Sequence, residues 1–399
     1  MKILQVISYF YPAWAYGGPG KLVYDLSTAC ARRGNRVTVY TTDALTSQDR
    51  REVKDNLFLK DKNISVRFLR NISNTLAYRF KIFLPPTAIF TIWNEITSFD
   101  IVHIHEFFTP LAAVSCFFAK KYHVPYVFST HGTLSKFHFA HRKDWKKLFM
   151  AIAGKFMIKN ASHFIAATPV EIKEYHEFGV PEEDVTLIPN GIEFHEFEGL
   201  PKRGSFRKKN QIKDNEKILL YLGRINKLKG LDMLIRAFSK VRKRFSATKL
   251  IIAGSDDGYL SALISMTENL SLKDSVLFPG ITSGIKKLKM YVDTDIFVYP
   301  SPAEGFSIAI LEAAAVGLPL VITKGCKFPE VDRAKAGIVV ESDEEELYKA
   351  IYSILKDESF RRKAGLNAKK LVKENFSIEK MTLRLENLYK QVCKQYERH

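Results

Sequence analysis

The stretch DIFVYPSPAEGFSIAILEAAAVGLPLVIT, Asp295 to Thr323, reads as strand, loop, helix and strand within one span of chain. Ile296 to Tyr299 and Leu320 to Ile322 are unbroken apolar runs, the pattern of parallel strands covered on both faces and not the alternation of a half-wet sheet. Between them, Ser307 to Val316 is a run of good helix formers closed by Gly317 and Pro319, the order of a glycine C-cap and a proline stop. A helix starting near Ser307 puts Glu312 inside it, among side chains apolar on nearly every face, where an unpaired carboxylate costs several kcal/mol or more. Glu304 sits just before the first turn, beside the unpaired amides and positive dipole end where anions bind. Two explanations stand open. Either Glu312 bonds a neighbouring side chain and Glu304 is solvated, or one ligand offers hydroxyls to both carboxylates with phosphates between them on the helix N-terminus.

The same alternation runs outward in both directions. KILQVIS, RVTVYTT, FDIVHIH, YVFSTHG, SHFIAATP and DVTLIPNGI recur in the first half, and ILLYLGR, TKLIIAG, VLFPG, DIFVYPS, LPLVIT and AGIVVE in the second, with helical stretches between. The expected class is α/β, with two Rossmann-like domains facing each other across a cleft and ligands at the carboxyl ends of the strands. A polar, lysine-rich gap from Phe197 to Asn215 reads as the linker, giving domains at 1–196 and 197–375. Residues 376–399 form a separate amphipathic helix, expected to pack back toward the N-terminal domain through Met381, Leu383, Leu385, Leu388 and Tyr389.

Length and composition bound the answer. The 399 residues, 46% hydrophobic and 26% charged, are ordinary globular composition with room for a large core. No run approaches the roughly 18 apolar residues of a membrane span. MKILQVISYF lacks a small-residue cleavage site and reads as a first buried strand and not as a signal peptide, so a cytoplasmic location is expected. The four cysteines are far apart, with no ligand spacing, and read as buried thiols. The formal net charge of +18 fits nucleic acid, an anionic membrane or a phosphorylated substrate. No RNP-type strand, zinc-finger spacing or tandem basic helix supports nucleic acid as a partner.

Several constellations follow strands. GRINKLKG places Arg224 and Lys229 after ILLYLG, two cations suited to a diphosphate, although a lysine-rich loop is more often solvated surface. Gly17 and Gly18 precede a helix and expose amides at its N-terminus, or simply make a turn. His131, in STHGTLS, could contact a sugar or polarise a departing group, or be structural. Of His103 and His105, one is expected to face the core, and neither is given a catalytic role. Asp293-Thr294-Asp295 has the D-x-D form of a metal site but reads as a helix-to-strand turn with no further acidic partner; no metal is expected.

Taken in order, YGGP at 16 to 19, THG at 130 to 132, IPNGI at 188 to 192, GRINKLKG at 223 to 230 and PSPAEGFSIAILEAAAVGLP at 300 to 319 resemble the retaining family-4 glycosyltransferases of the GT-B class. The resemblance implies that Arg224 and Lys229 hold the diphosphate of a nucleotide-sugar donor, that the amides of Gly305, Phe306 and Ser307 support it, and that Gly17 and Gly18 cap it. It further implies that Glu312 binds the ribose hydroxyls, Glu304 the transferred sugar, and that His131 faces that sugar. No cofactor and no metal are implied. The acceptor is expected to be a lipid-linked or oligosaccharide glycan in bacterial surface-polysaccharide or lipopolysaccharide assembly. A nucleotide-sugar epimerase or hydrolase on the same scaffold, or a basic nucleic-acid-binding protein, is the alternative. One departure is TKGCKFPEV, where the family commonly has a glycine pair shortly before Pro-Glu.

The segment Lys136 to Lys159 carries seven cations against Asp144, interleaved with aromatic and aliphatic residues. At helical spacing Trp145, Leu148, Phe149, Ile152 and Phe156 make one apolar stripe, which either packs on the N-terminal sheet or rests in an anionic membrane surface. The second case makes the protein peripheral at the inner face of the membrane.

Overall fold

A computed structural model describes residues 1–13, 16–46, 49–51, 57–59, 63–80, 82–135, 139 and 143–397. Two compact units are present, one of Met1–Gly191 with Ile378–His399, the other of Ile192–Ser377. The lysine-rich stretch from Phe197 onward therefore lies inside the second unit and does not bound it.

The first unit is built on β1 (Lys2–Val6), β2 (Arg36–Thr42), β3 (Leu57–Leu59), β4 (Ile64–Leu69), β5 (Ile101–His105), β6 (Tyr126–Ser129), β7 (His163–Ala166) and β8 (Val185–Leu187), ordered β3-β4-β2-β1-β5-β6-β7-β8. Among the described strands of this sheet, β3 pairs antiparallel with β4 and the other pairings are parallel. Strand order reverses direction between β1 and β5, and there the backbone N–H of Ser8 donates to Glu106 Oε2 at 3.2 Å. The helix Ile378–Tyr396 belongs to this unit and packs on the helix Gly18–Arg32. Glu386 takes Arg33 Nε and Asn35 Nδ2, each at 2.7 Å. Met381, Leu385, Leu388 and Tyr389 are buried, whereas Leu383 points to solvent, because only positions three, four and seven apart share the inner face.

The second unit holds β9 (Lys217–Leu222), β10 (Thr248–Ala253), β11 (Val276–Gly280), β12 (Ile296–Tyr299), β13 (Leu320–Thr323) and β14 (Gly337–Val340), all parallel in the order β11-β10-β9-β12-β13-β14. The reversal falls between β9 and β12. The helix Ile308–Val316 joins β12 to β13, with Ser307 at its N-cap and Gly317 at φ 92° closing it, a left-handed geometry that glycine adopts at little cost.

Asp293 and Asp295 are buried anchors. Asp293 accepts the backbone N–H groups of Gly204, Phe206 and Arg207 at 2.5, 2.7 and 2.9 Å, and so caps the short helix Ser205–Lys209 from outside. Asp295 accepts Ile218 N at 2.9 Å and the guanidinium nitrogens of Arg207 and Arg203, each at 3.0 Å. Arg207, 2% exposed, also donates to the carbonyls of Lys213 and Glu216 at 3.0 and 2.8 Å. The lysine-rich stretch is thus tied to the N-terminal ends of β9 and β12 by two guanidinium groups and two carboxylates.

Removing one partner of such a cluster leaves a charge buried without its mate, which costs about 3–5 kcal/mol, while an exposed pair is worth about 0–1 kcal/mol. Arg207→Met is accordingly expected to destabilise the second unit by about 3–5 kcal/mol, and Arg203→Met by about 1 kcal/mol or less. Hydrogen exchange at the amides of β9 and β12 reads both; equal losses in the two variants would contradict this ranking.

Candidate functional site

At the β9/β12 reversal the two following loops meet backbone to backbone. Gly230 has φ 66°, and a Cβ there would stand 2.4 Å from the Pro300 carbonyl, so only glycine lets the 223–230 loop lie against the 300–307 loop. A Cβ on Gly325 would stand 2.2 Å from the Pro302 carbonyl, and the Gly325 carbonyl accepts Glu304 N at 2.9 Å. In TKGCKFPEV, Gly325 thus orients Glu304, and Cys326 is a buried thiol donating to the Tyr299 carbonyl at 3.4 Å.

Arg224, Lys229 and Glu304 in these loops each have a counterpart. Lys229 Nζ is 2.5 Å from Glu304 Oε2, which also accepts the Tyr299 hydroxyl at 3.2 Å. Burial works to raise the Glu304 carboxyl, but the Lys229 ammonium, with Arg224 and Tyr299, outweighs it and holds the group below its ordinary value of 4.5. Arg224 Nη1 donates to Asp257 at 2.9 Å, and Asn226 Nδ2 donates to the same oxygen at 3.2 Å. Glu312, 6% exposed, receives Lys287 Nζ at 2.6 Å and the Tyr291 hydroxyl at 3.0 Å. The carboxylate inside the apolar helix is therefore met by protein donors, and the ligand is not needed to account for its burial. Phe306 packs its ring against Phe328 and Phe376, fixing the loop between Glu304 and the helix start. Ser307 makes no side-chain bond to the first helical amides.

Arg224, Lys229, Glu304, Gly305, Phe306, Ser307 and Glu312 are thus gathered at one end of the second sheet, on the loops after β9 and β12 and the helix that follows. Asp257, Tyr299, Lys287 and Tyr291 complete the arrangement and were not read from the sequence. Lys287 and Tyr291 stand four apart on the helix Gly284–Asp293, a spacing that points both at one target. Nothing local in KKLKMY singles them out.

In the first unit, Gly17 at φ 108° precedes the helix that opens with Gly18 and Pro19, after β1. His131 follows β6 with φ 51°, an uncommon backbone conformation for a side chain beyond Cβ. Glu171 holds this turn: its carboxylate accepts Gly132 N at 2.8 Å, the Thr130 hydroxyl at 3.2 Å and Ala167 N at 2.7 Å. His103 and His105 both lie buried on one face of β5, so the core takes the two together. His103 bonds Tyr389 and Ser129. Gln5 Oε1 accepts from His105 Nε2 at 2.7 Å, which leaves His105 Nδ1 to accept from His131 Nε2 at 3.0 Å and His131 Nδ1 as an acceptor. Burial lowers His131 from 6.5 to about 4, so its ring is neutral near pH 7 and offers a hydrogen bond, not a charge.

The chain is similar to known proteins over most of its length. Residues 16–196 match the family model described as Glycosyltransferase Family 4, and residues 202–371 the one described as Glycosyl transferases group 1. An uncharacterized glycosyltransferase of Methanocaldococcus jannaschii is 30% identical over 303 residues, 74% of this chain and 76% of that protein. The O-antigen chain mannosyltransferase C of Escherichia coli is 23% identical over 394 residues, 98% of each chain. Among solved structures, Anabaena HepE in complex with UDP and glucose superposes with a TM-score of 0.78 at 19% identity, covering 98% of this chain and all of that one, a likeness of fold.

Two titrations check the electrostatics. The His131 ring is expected to stay neutral until about pH 4, so between 6.5 and that value the unfolded chain binds a proton that the folded one does not, and stability is lost as the pH is lowered through that range. A His131 proton-resonance midpoint near 6.5 would show instead a solvated ring. Glu304 has the opposite sign of shift relative to its charge: its contribution is present above 4.5 and lost as pH falls through its lower folded value. Lys229→Met removes the main opposing charge, so the Glu304 carboxyl resonance should titrate higher than in the wild type.

Proposed function

The chain belongs to the family-4 glycosyltransferases, and we propose that it moves a hexosyl group from a nucleoside-diphosphate sugar to an acceptor hydroxyl with retention of anomeric configuration. The observation that carries this reading is the pair of cations at the β9/β12 reversal, Lys229 against Glu304 and Arg224 against Asp257, beside a helix start whose N-cap side chain leaves its amides uncapped. A diphosphate placed there meets both cations and the amides of Gly305, Phe306 and Ser307. The same groups stabilise the charge that develops on the departing diphosphate, the work of a preorganised oxyanion hole.

In this reading Glu304, oriented by Gly325 and Tyr299, receives hydroxyls of the transferred sugar. Glu312 keeps Lys287 and Tyr291 and offers its remaining lone pairs to the ribose. Gly17 and Gly18 are assigned to the donor phosphates and His131, as a neutral acceptor, to a sugar hydroxyl. No protein nucleophile is assigned; a donor phosphate oxygen takes the acceptor proton as the new glycosidic bond forms on the face the diphosphate leaves. The acceptor is assigned as a lipid-linked glycan at the cytoplasmic face of a membrane, in surface-polysaccharide assembly. The full-length likeness to a protein named for O-antigen chains supports that class. The charge of the diphosphate is met by Arg224, Lys229 and amides, without a divalent ion.

A thermal-shift panel of UDP-, GDP- and ADP-sugars identifies the donor, since a ligand at 100 times its Kd adds about 2.7 kcal/mol. With that donor, Arg224→Ala and Lys229→Ala are each expected to lower turnover by about 10²- to 10³-fold with the fold retained; near-normal rates in both would refute the assignment. Product anomers read by NMR test retention, and release of free sugar or an epimer without acceptor would favour a hydrolase or epimerase. Turnover is expected to survive EDTA. Loss that manganese restores would reinstate a metal in the reaction.

A further inference from the structure

Aromatic and aliphatic side chains outside the donor site gather on three helices of the first unit, and they are not covered. The run from Lys143 to Asn160 is helix Lys143–Phe149, a π-helical turn Met150–Gly154 and helix Lys155–Asn160. Its apolar stripe divides. Phe149 and Met157 point inward, 6% and 0% exposed, with Phe149 against Phe107 and Phe108. Leu148, Ile152 and Phe156 point outward, with Ile152 75% exposed. Residues eight apart are about 80° out of phase on a regular α-helix; the wider π turn takes up that excess, so that Phe149 and Met157 share the inner face and Leu148, Ile152 and Phe156 the outer one. Of the stripe Trp145, Leu148, Phe149, Ile152 and Phe156, Phe149 alone is buried.

The outer face continues across its neighbours. Phe117, on the helix Pro110–Lys121, has its ring 6.4 Å from Phe156. Phe117 meets Phe118 at 5.2 Å, Phe118 stacks on Tyr122 at 6.2 Å, and Tyr122 accepts the indole N–H of Trp93. On the helix Ala88–Glu95, Ile89 and Phe90 are exposed beside Trp93, Phe90 at 64%. Lys120, Lys121, Lys147, Lys155 and Lys159 on these helices are exposed as well. The acids on the same described elements are Asp144 and Glu95, and Glu95 is held by Arg67 and Tyr40.

We propose that this face of the first unit docks on a bilayer surface containing anionic lipid. Leu148, Ile152, Phe117 and Phe90 would enter the acyl boundary, Trp93 and Tyr122 would lie at headgroup level, and the lysines would reach the phosphates while their stems cover apolar surface. No helix among the described residues is long and apolar enough to cross a membrane, so the contact is interfacial. The charge selects this occupant. A second copy docked face to face would set Lys147, Lys155 and Lys159 against their own kind, in a chain of net charge +18. A protein partner is the poorer match, because the cores of protein interfaces are depleted in lysine. A lipid-linked acceptor gives the docking its purpose, and on that point the inference rests on the function proposed above; its physical evidence is separate.

The test is co-sedimentation of the full chain with phosphatidylcholine vesicles, with and without phosphatidylglycerol, at low and high salt. Two variants accompany it: Phe117→Gln/Leu148→Gln/Ile152→Gln and Lys147→Gln/Lys155→Gln/Lys159→Gln. The wild type is expected to bind the anionic vesicles and to be released by salt. The lysine variant should lose about a hundredfold in partitioning, from about 1 kcal/mol per cation, and the apolar variant should lose at least tenfold at either salt concentration. Nucleotide-sugar thermal shifts equal to the wild type's show that both variants fold and keep the donor site. Binding indifferent to lipid charge and to both variants overturns the proposal, as does a wild type that ignores vesicles. A concentration-dependent dimer abolished by the apolar variant, without vesicle binding, overturns it in favour of a second copy. Vesicle binding by a chain indifferent to every nucleotide sugar leaves the docking standing and removes the enzymatic reading instead.

Discussion

A carboxylate taken out of water must be met by donors, and much of this protein is arranged around that requirement. Glu304 is met by Lys229 and Tyr299, Glu312 by Lys287 and Tyr291, Asp293 and Asp295 by Arg207 and backbone amides, and Glu171 by the Thr130 hydroxyl and the amides of Gly132 and Ala167. Most of these pairings join segments far apart in the chain, Lys229 and Glu304 by 75 residues and Arg207 and Asp295 by 88. Breaking one would leave a charge in a medium that solvates it poorly, so each fixes geometry as well as contributing stability. The loops that follow the strands are consequently positioned by buried ion pairs as much as by apolar packing.

Parallel sheets decide where those loops go. In the second unit strand order reverses between β9 and β12, so the loops after these strands begin side by side at the crevice where open α/β sheets bind ligands. Gly230 and Gly325 let the backbones at that point approach without a Cβ between them. The cations sit on one loop, the carboxylate on the other, and the helix start next to both. The reversal in the first unit, between β1 and β5, is framed in the same manner by the loop leading to Gly17 and by Glu106.

The first unit also shows how an apolar stripe can be misjudged. Alternation of lysine with aromatic residues over 143–160 suits a helix packed on a sheet and a helix lying on a lipid surface equally well, because both need one apolar face. The π turn is what separates the two inward residues from the three outward ones, and its partner surface comes from Phe117 and Trp93 on helices distant in sequence. Of the seven cations in the segment Lys136 to Lys159, Lys136 and Arg142 lie outside the described residues.

Continuous Val, Ile and Leu runs determined the α/β class by themselves, since such strands are stable only when both faces are covered. Gly317 and Pro319 likewise ended the helix that Ser307 begins, because cap and stop chemistry is local. The ordered motifs put Arg224 and Lys229 after β9, Glu304 after β12 and Glu312 in the helix that follows, which is where they lie in the fold. What they could not supply was partnership: Asp257, Lys287, Tyr291 and Tyr299 reach the site through sheet order and helix packing, with no signal at their own positions. The role of the D-x-D as a pair of buried anchors was hidden for the same reason, since its donors lie 86 to 89 residues earlier for Asp293. Local sequence set the elements because backbone conformation and burial period are short-range properties; tertiary structure alone decided which charges met, because electrostatic partners are chosen by distance in space.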